Sequence, residues 1–300
     1  MSKKILIVMN PVAGVKKTNK YLTEILSIFS ENDFDIKIQM TTPTFGADKI
    51  VEKYGKGKDI IVCIGGDGTF NEMVSGLINN NLHPKIGYIP SGSTNDFANG
   101  MKLTTNPITA ANNIIEENST VLDVGNFNGR IFTYTASFGI FTKTSYNTPR
   151  DLKNTLGYLA YVLEGSKELS SIKSFHIKLK TENKEYEGDY IFGAVCNSMR
   201  LGGGFVNFKN SGVDMNDGLL EILLIKFPKN AAEATQALFE LRQSRFTSKH
   251  FEFFSASEIT IETEDNIDWT IDGEYQKGDN NINITCINNA INIITKKKDK

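Results

Sequence analysis

One stretch limits what this chain of 300 residues can fold into more than any other: Ile60-Ile61-Val62-Cys63-Ile64-Gly65-Gly66-Asp67-Gly68-Thr69-Phe70-Asn71-Glu72. Its unbroken apolar start, with no polar alternation, reads as a strand buried on both faces, as in a parallel sheet. After Thr69 the period changes, and Phe70, Met73, Val74, Leu77 and Ile78 fall on one helical face. The stretch is therefore strand, glycine turn, helix. Glycine lets backbone take positive φ and approach a ligand closely, and a helix start offers free N–H groups to an anion. Together they predict a phosphate cradle. A carboxylate inside it, Asp67, repels bound phosphates unless a metal ion stands between, which predicts Mg²⁺.

The stretches around it have the same grammar. Lys4–Met9 reads as a buried strand ending in the loop Asn10-Pro11-Val12-Ala13-Gly14, followed by a helix marked by Tyr21, Leu22, Ile25, Leu26 and Phe29. Gly14-Val15-Lys16-Lys17-Thr18 lacks the spacing of a Walker A loop. Phe34–Met40 alternates as a strand closed by Thr41-Thr42-Pro43, a helix follows over 47–54, and Lys85–Pro90 is a strand leading into Ser91-Gly92-Ser93-Thr94-Asn95-Asp96-Phe97-Ala98. In open α/β sheets ligands bind beyond the carboxyl ends of the strands, so these loops and Thr42 are expected to line one crevice.

From about Val121 strands dominate: 121–127, 131–138, 175–181, 187–198, 219–226, 258–263, 268–272, 282–288 and 290–295, with helices near 156–169 and 231–243. This predicts a mainly antiparallel β domain after an α/β domain. Two stretches there carry chemistry. Asp214-Met215-Asn216-Asp217-Gly218-Leu219 offers oxygen ligands for a hard cation, although Asp-Gly is also a common hairpin turn. In Trp269-Thr270-Ile271-Asp272-Gly273-Glu274 two carboxylates share a face if the backbone is extended, and such a pair can supply a general base; an exposed hairpin turn is the alternative.

A net charge of −2 gives no nucleic-acid footprint. Cys63, Cys196 and Cys286 are odd in number and lie in apolar runs, a reduced, cytosolic pattern. No run reaches membrane-spanning length, and the tail Lys296 to Lys300 reads as a frayed end. His83, His176 and His250 lack ligand spacing, and no nucleophile elbow occurs.

Taken together the motifs resemble the diacylglycerol kinase catalytic domain family, especially its soluble bacterial lipid kinases. The matching residues are Asn10-Pro11-x-x-Gly14, Gly65-Gly66-Asp67-Gly68-Thr69-x-Asn71-Glu72, Pro90-x-Gly92-Ser93-x-Asn95-Asp96-Phe97-Ala98, Gly202-Gly203-Gly204, Asp217-Gly218-Leu219 and Asp272-Gly273-Glu274. Gly-Gly-Asp-Gly alone also resembles NAD kinases and phosphofructokinases; the Asn-Asp-Phe-Ala and Asp-Gly-Glu stretches decide for lipid kinases. Ser93 stands where Thr is usual, Asn99 where a basic residue is common, and Tyr134 replaces an Asn.

The resemblance implies a three-layer α/β domain of the NAD kinase/phosphofructokinase-like kind over 1–124, with 289–300 returning to it, and a β-sandwich lipid-binding domain over 125–288. It implies ATP and Mg²⁺. Asn10, Pro11, Gly14, Thr42, Gly65, Gly66, Asp67, Gly68, Thr69, Asn71 and Ser93 match nucleotide-contacting positions. Asp272 matches the catalytic base, with Glu274 beside it. Asp217 with the main-chain carbonyls of Asp214 and Leu219 matches a structural Mg²⁺ site, and Asp67 and Asp96 match acidic positions linking it to catalytic Mg²⁺. The expected activity is transfer of the γ-phosphoryl of ATP to a lipid hydroxyl, diacylglycerol first, giving phosphatidic acid. The alternatives are another lipid alcohol or a soluble substrate of the NAD kinase type. Such an enzyme would be cytoplasmic, reversibly at the inner face of the membrane, and pairing of β domains would make a homodimer.

Overall fold

The computed structural model describes residues 2–13, 18–139, 173–201, 206–208, 211–264 and 266–297. Gly14, Gly202-Gly203-Gly204, the helix expected near 156–169 and the tail beyond Lys297 lie outside them. The chain divides into two compact units, Met1–Val124 with Asn288–Lys300, and Gly125–Ile287.

In the first unit β1 (Lys3–Met9), α1 (Leu22–Glu31), β2 (Phe34–Met40), α2 (Ala47–Tyr54), β3 (Ile60–Gly65), α3 (Asp67–Asn79), β4 (Lys85–Pro90), α4 (Asp96–Gly100) and α5 (Pro107–Glu116) alternate along the chain. The strands pair in parallel in the order β4, β3, β1, β2. Successive residues of a strand face opposite sides. Ile5, Ile7, Met9, Ile60, Val62 and Ile64 pack with Ile25 and Phe29 of α1 and Ala110, Ala111 and Ile114 of α5. Cys63 and its cross-strand partner Tyr88 face the other way. There Tyr88 stacks on Phe70 of α3, and Phe70 on Phe97 of α4, with ring centroids 4.5 and 4.4 Å apart. Burial on both faces explains why β3 is apolar throughout.

The second unit is almost all β. Its strands are β6 (Arg130–Phe132), β7 (Thr135–Gly139), β8 (Phe175–Thr181), β9 (Glu185–Cys196), β10 (Arg200–Leu201), β11 (Val206–Asn207), β12 (Leu220–Lys226), β13 (Phe251–Ala256), β14 (Glu258–Thr263), β15 (Trp269–Ile271) and β16 (Glu274–Gln276), with one helix among the described residues, α6 (Ala231–Arg242). Two strands pass between units: β5 (Ser119–Phe127) leads out of the first, and β17 (Asn281–Ile294) leads back. β17 runs antiparallel to β14 through Asn281–Thr285, then parallel to β4 at Asn292 and Ile293. The remaining order is β16, β15, β7, β9, β8, β14, with β12 between β9 and β13. Leu220, Ile222 and Leu224 join a core around Trp269, Phe132 and Phe138. Leu223 and Ile225 of the same strand join a second core with Phe208, Leu241 and Phe246. This unit is the β-sandwich domain; the three free cysteines make no disulfide.

Four strand expectations need correction. The run 131–138 is two strands, interrupted at Thr133 and Tyr134. The runs 282–288 and 290–295 are one strand, β17, which continues through Asn289 at φ 53. The run 268–272 stops at Ile271, because Asp272 and Gly273 take φ of 47 and 85. β13 was not anticipated; half-exposed Phe253 and Phe254 mask its alternation.

Phe70 is fully buried between two aromatic rings. Phe70→Ala should lower the unfolding free energy by about 3–5 kcal/mol, as for other buried aromatic truncations. Denaturant titration followed by far-UV circular dichroism measures this. An unchanged midpoint would mean that the stacked rings are not holding α3 and α4 to the sheet.

Candidate active site

The carboxyl ends of β1, β3 and β4 are laced together by backbone. The Asn10 N–H donates to the Ile64 carbonyl at 2.9 Å, and the Ser91 N–H to the Gly65 carbonyl at 2.8 Å. Asn10 Nδ2 donates to Thr69 Oγ1 at 3.0 Å, while its Oδ1 accepts the Val12 N–H at 3.1 Å. Pro11 is half-exposed in the same loop. The Thr41 N–H reaches the Met9 carbonyl at 2.8 Å, which brings exposed Thr42 to this edge. Asn10, Pro11, Thr42, Gly65, Gly66, Asp67, Gly68, Thr69, Asn71, Ser93 and Asp96 all lie at these strand ends, in the loops after them or on the opening turns of α3 and α4.

The glycines have a packing reason of their own. A Cβ at Gly92 would stand 2.7 Å from the Gly66 Cα, and one at Gly66 would stand 3.1 Å from the Gly92 Cα. The two loops touch backbone to backbone, so a side chain at Gly92 would force the backbone apart and one at Gly66 would need the facing loop to give by a few tenths of an ångström. Asn95 turns the second loop at φ 49, and its amide bonds both the N–H and the carbonyl of Gly92, at 2.8 and 3.0 Å.

Asp67 does not face the cradle as an unbalanced charge. Its Oδ2 accepts the Asp96 N–H at 2.9 Å and the Thr94 hydroxyl at 3.3 Å, and its Oδ1 accepts the Phe97 N–H at 3.2 Å. Asp67 thus caps α4 from another element. Burial raises its carboxyl above the ordinary aspartate value against the pull of these donors. Glu72 repeats the device, its Oε2 accepting the Ala47 N–H at the start of α2 at 3.1 Å. The start of α3 itself has glycine at its N-cap with no side-chain cap, and Asp67 is its first residue.

In the second unit Asp272 is the singular residue. Asp272-Gly273 forms the two-residue turn joining β15 to β16, both residues with positive φ. It is a hairpin turn, yet Asp272 is only 6% exposed. Its Oδ2 accepts the Thr133 N–H at 2.7 Å and the Thr133 hydroxyl at 2.8 Å; its Oδ1 accepts the Tyr134 and Thr135 N–H groups at 3.1 and 3.0 Å. These donors come from the break between β6 and β7. Burial raises the Asp272 carboxyl above its ordinary value, and the four donors oppose it. Glu274 does not share its face. It is exposed and pairs with Arg130 at 3.0 Å, and Arg130 also holds Gln276 Oε1 at 3.0 Å. Thr133 to Thr135 and Arg130 escaped the sequence because nothing local marks them as partners of a distant turn.

Asp214 and Asp217 sit in tight turns before β12. Asp214 Oδ1 accepts the Asn216 N–H at 3.2 Å, and Asp217 Oδ1 accepts the Leu219 N–H at 3.0 Å. Both are exposed. Among the described residues no three His, Cys, Asp or Glu side chains gather to hold a metal.

A parallel α/β unit with glycine loops at its strand ends, followed by a β-sandwich unit with a buried turn aspartate, defines a two-domain kinase of lipid-kinase architecture. The chain belongs to the diacylglycerol kinase family: residues 4–127 match the diacylglycerol kinase catalytic domain, and 137–295 match the YegS C-terminal NAD kinase beta sandwich-like domain. It is 29% identical to a diacylglycerol kinase of Bacillus subtilis, covering 91% of this chain and 90% of that one. A Staphylococcus saprophyticus diacylglycerol kinase is 27% identical, with coverage of 92% and 90%. The crystal structure of a diacylglycerol kinase from Bacillus anthracis superposes with a TM-score of 0.76 at 25% identity, covering 98% of this chain and 97% of that one. The protein is a lipid kinase.

Asp67→Ala should cost about 0.5–2 kcal/mol, as for loss of a helix N-cap. The raised carboxyl adds a sign. Its contribution to stability is full below the unfolded aspartate value and is lost as pH rises through the folded one. The gap between wild type and variant should therefore be widest in acid and narrow towards neutrality. Thermal melts across pH read this, and a gap that widens with pH would contradict the assignment.

Proposed function

We propose that the enzyme transfers the γ-phosphoryl group of ATP to the free hydroxyl of diacylglycerol, giving phosphatidic acid. The observation that carries this is Asp272, a buried carboxylate fixed in a left-handed turn. Burial raises its carboxyl above the ordinary aspartate value, the direction that strengthens a general base. Asp272 takes the hydroxyl proton as the oxygen attacks the γ-phosphorus; the bond to the bridging oxygen breaks, and ADP leaves. Phosphoryl transfer asks the protein mainly for positioning and charge stabilisation. The start of α3, with Asn10, Pro11, Gly14, Thr42, Gly65 to Thr69, Asn71 and Ser93, holds the nucleotide. Asp67 and Asp96 shape this cradle through α4.

Mg²⁺ fits the donor chemistry of one loop: Asp217 is exposed and accepts the Leu219 N–H on Oδ1, and its carboxylate with the main-chain carbonyls of Asp214 and Leu219 would supply oxygen ligands for a hard cation. When bound to the nucleotide, Mg²⁺ neutralises phosphate charge. Glu274 steadies β16 through Arg130. No described helix is long and apolar enough to cross a membrane. A lipid acceptor therefore requires the enzyme to dock reversibly on a membrane surface, and we place it in the cytoplasm at the inner face.

The test is radiolabelled phosphate transfer from ATP to diacylglycerol in mixed vesicles, with undecaprenol, ceramide and NAD as competing acceptors. Asp272→Asn should lower turnover by ~10²–10⁴-fold, the usual worth of a general base, with ATP affinity retained. Because the carboxyl is raised, wild-type kcat/KM should climb with pH through a limb lying above the ordinary aspartate value. Near-normal turnover by Asp272→Asn, or preferred transfer to NAD, would refute the reading.

A further inference from the structure

We propose that Thr133 is a positioning residue for Asp272: its hydroxyl occupies the lone pair that the acceptor lipid needs, and it swings away when the lipid hydroxyl arrives. This rests on Asp272 acting as the general base. An ionised carboxylate offers about four acceptor sites. Thr133 N–H, Thr133 Oγ1, Tyr134 N–H and Thr135 N–H already supply four donors at 2.7, 2.8, 3.1 and 3.0 Å. A base with every site filled cannot receive a proton from a fifth donor, so one must leave. Three are backbone amides, fixed further by the Asp272 N–H donating to the Thr135 carbonyl at 2.9 Å. Of these four, the Thr133 hydroxyl alone can depart by rotation about a single side-chain bond, between staggered wells.

The alternative is a relay, in which the lipid hydroxyl bonds Thr133 and the proton passes on to Asp272. Exposure argues against it: Thr133 is 1% exposed and Asp272 is 6%. Asp272 is the more exposed residue of the pair, so the acceptor meets it before Thr133. Other titratable groups pack around the turn. Cys196 on β9 lies with its Sγ 3.6 Å from Thr135 Oγ1, and burial holds its thiol up to about 12. Glu221 is buried on β12, next to Cys196 across the strand pair. Glu274 faces solvent with Arg130.

The experiment is the pH profile of kcat/KM for diacylglycerol phosphorylation by wild type, Thr133→Val, Thr133→Ser and Asp272→Asn, all with Mg²⁺ and saturating ATP. Thr133→Val removes one donor to the ionised form, which raises the pKa of a carboxylate. The acid limb should move up by about one pH unit, the scale of one hydrogen bond to a charged group. At pH values on that limb kcat/KM should fall by up to about tenfold, the equivalent of one pH unit, with KM for ATP unchanged. Thr133→Ser keeps the hydroxyl and should restore the wild-type limb. A limb that stays put in Thr133→Val overturns the proposal, and so does a plateau lowered tenfold or more, which is the signature of a relay. If Thr133→Val does not fold, Thr133→Ala against Thr133→Ser gives the same comparison. Undiminished turnover by Asp272→Asn would instead remove the base itself, an outcome separate from failure of Thr133 alone.

Discussion

Backbone N–H groups bonded to carboxylates from distant parts of the chain hold this fold together where regular pairing stops. A buried charge is costly unless it is hydrogen-bonded, and a broken strand or uncapped helix leaves N–H groups in need of acceptors. Each shortage satisfies the other. Asp67 serves α4, Glu72 serves α2, and Asp272 serves the gap between β6 and β7. Asp123, 1% exposed, accepts the Asn289 N–H at 2.7 Å where β17 passes through its left-handed residue. Charge-assisted bonds of this kind are stronger than neutral ones, which lets single side chains fix whole turns.

The same bonds sort the helix starts by electrostatics. With Asp67 on its first amides, α4 has its positive end compensated. α3 has glycine at its N-cap and this same Asp67 in its own first turn, so one carboxylate serves both helix starts. The contact between Gly66 and Gly92 draws the two loops together.

The layered α/β unit was legible because its signals are local. The burial of β3 and the helical face of Phe70, Met73, Val74 and Leu77 follow from period alone. α5 was equally legible, although unclaimed: Asn106 accepts the Ile108 and Thr109 N–H groups just ahead of Pro107, a standard helix start. The site in the second unit was only partly legible. Asp-Gly announced a hairpin turn, which the structure has; the family motif announced a functional aspartate at the same residue, the role proposed for it here. The interruption at Thr133 was not legible, since Ile131 to Phe138 alternates like any strand and its competitor lies 139 residues away. For the same reason Asp272 and Glu274 were expected on one face: two positive φ angles cancel the period of an extended chain.

The passage of β17 from one unit to the other has a consequence for biosynthesis. The parallel neighbour of β4 comes from residues 292 and 293, which the ribosome adds only after all of Gly125–Ile287. Until then β4 has an open edge on that side, and Ile294 is missing from the core shared by α1 and α5. The nascent first unit must wait, unsealed and prone to pairing with other chains, while the inserted unit is completed. A chaperone that holds the emerging polypeptide would therefore protect that one exposed strand above all.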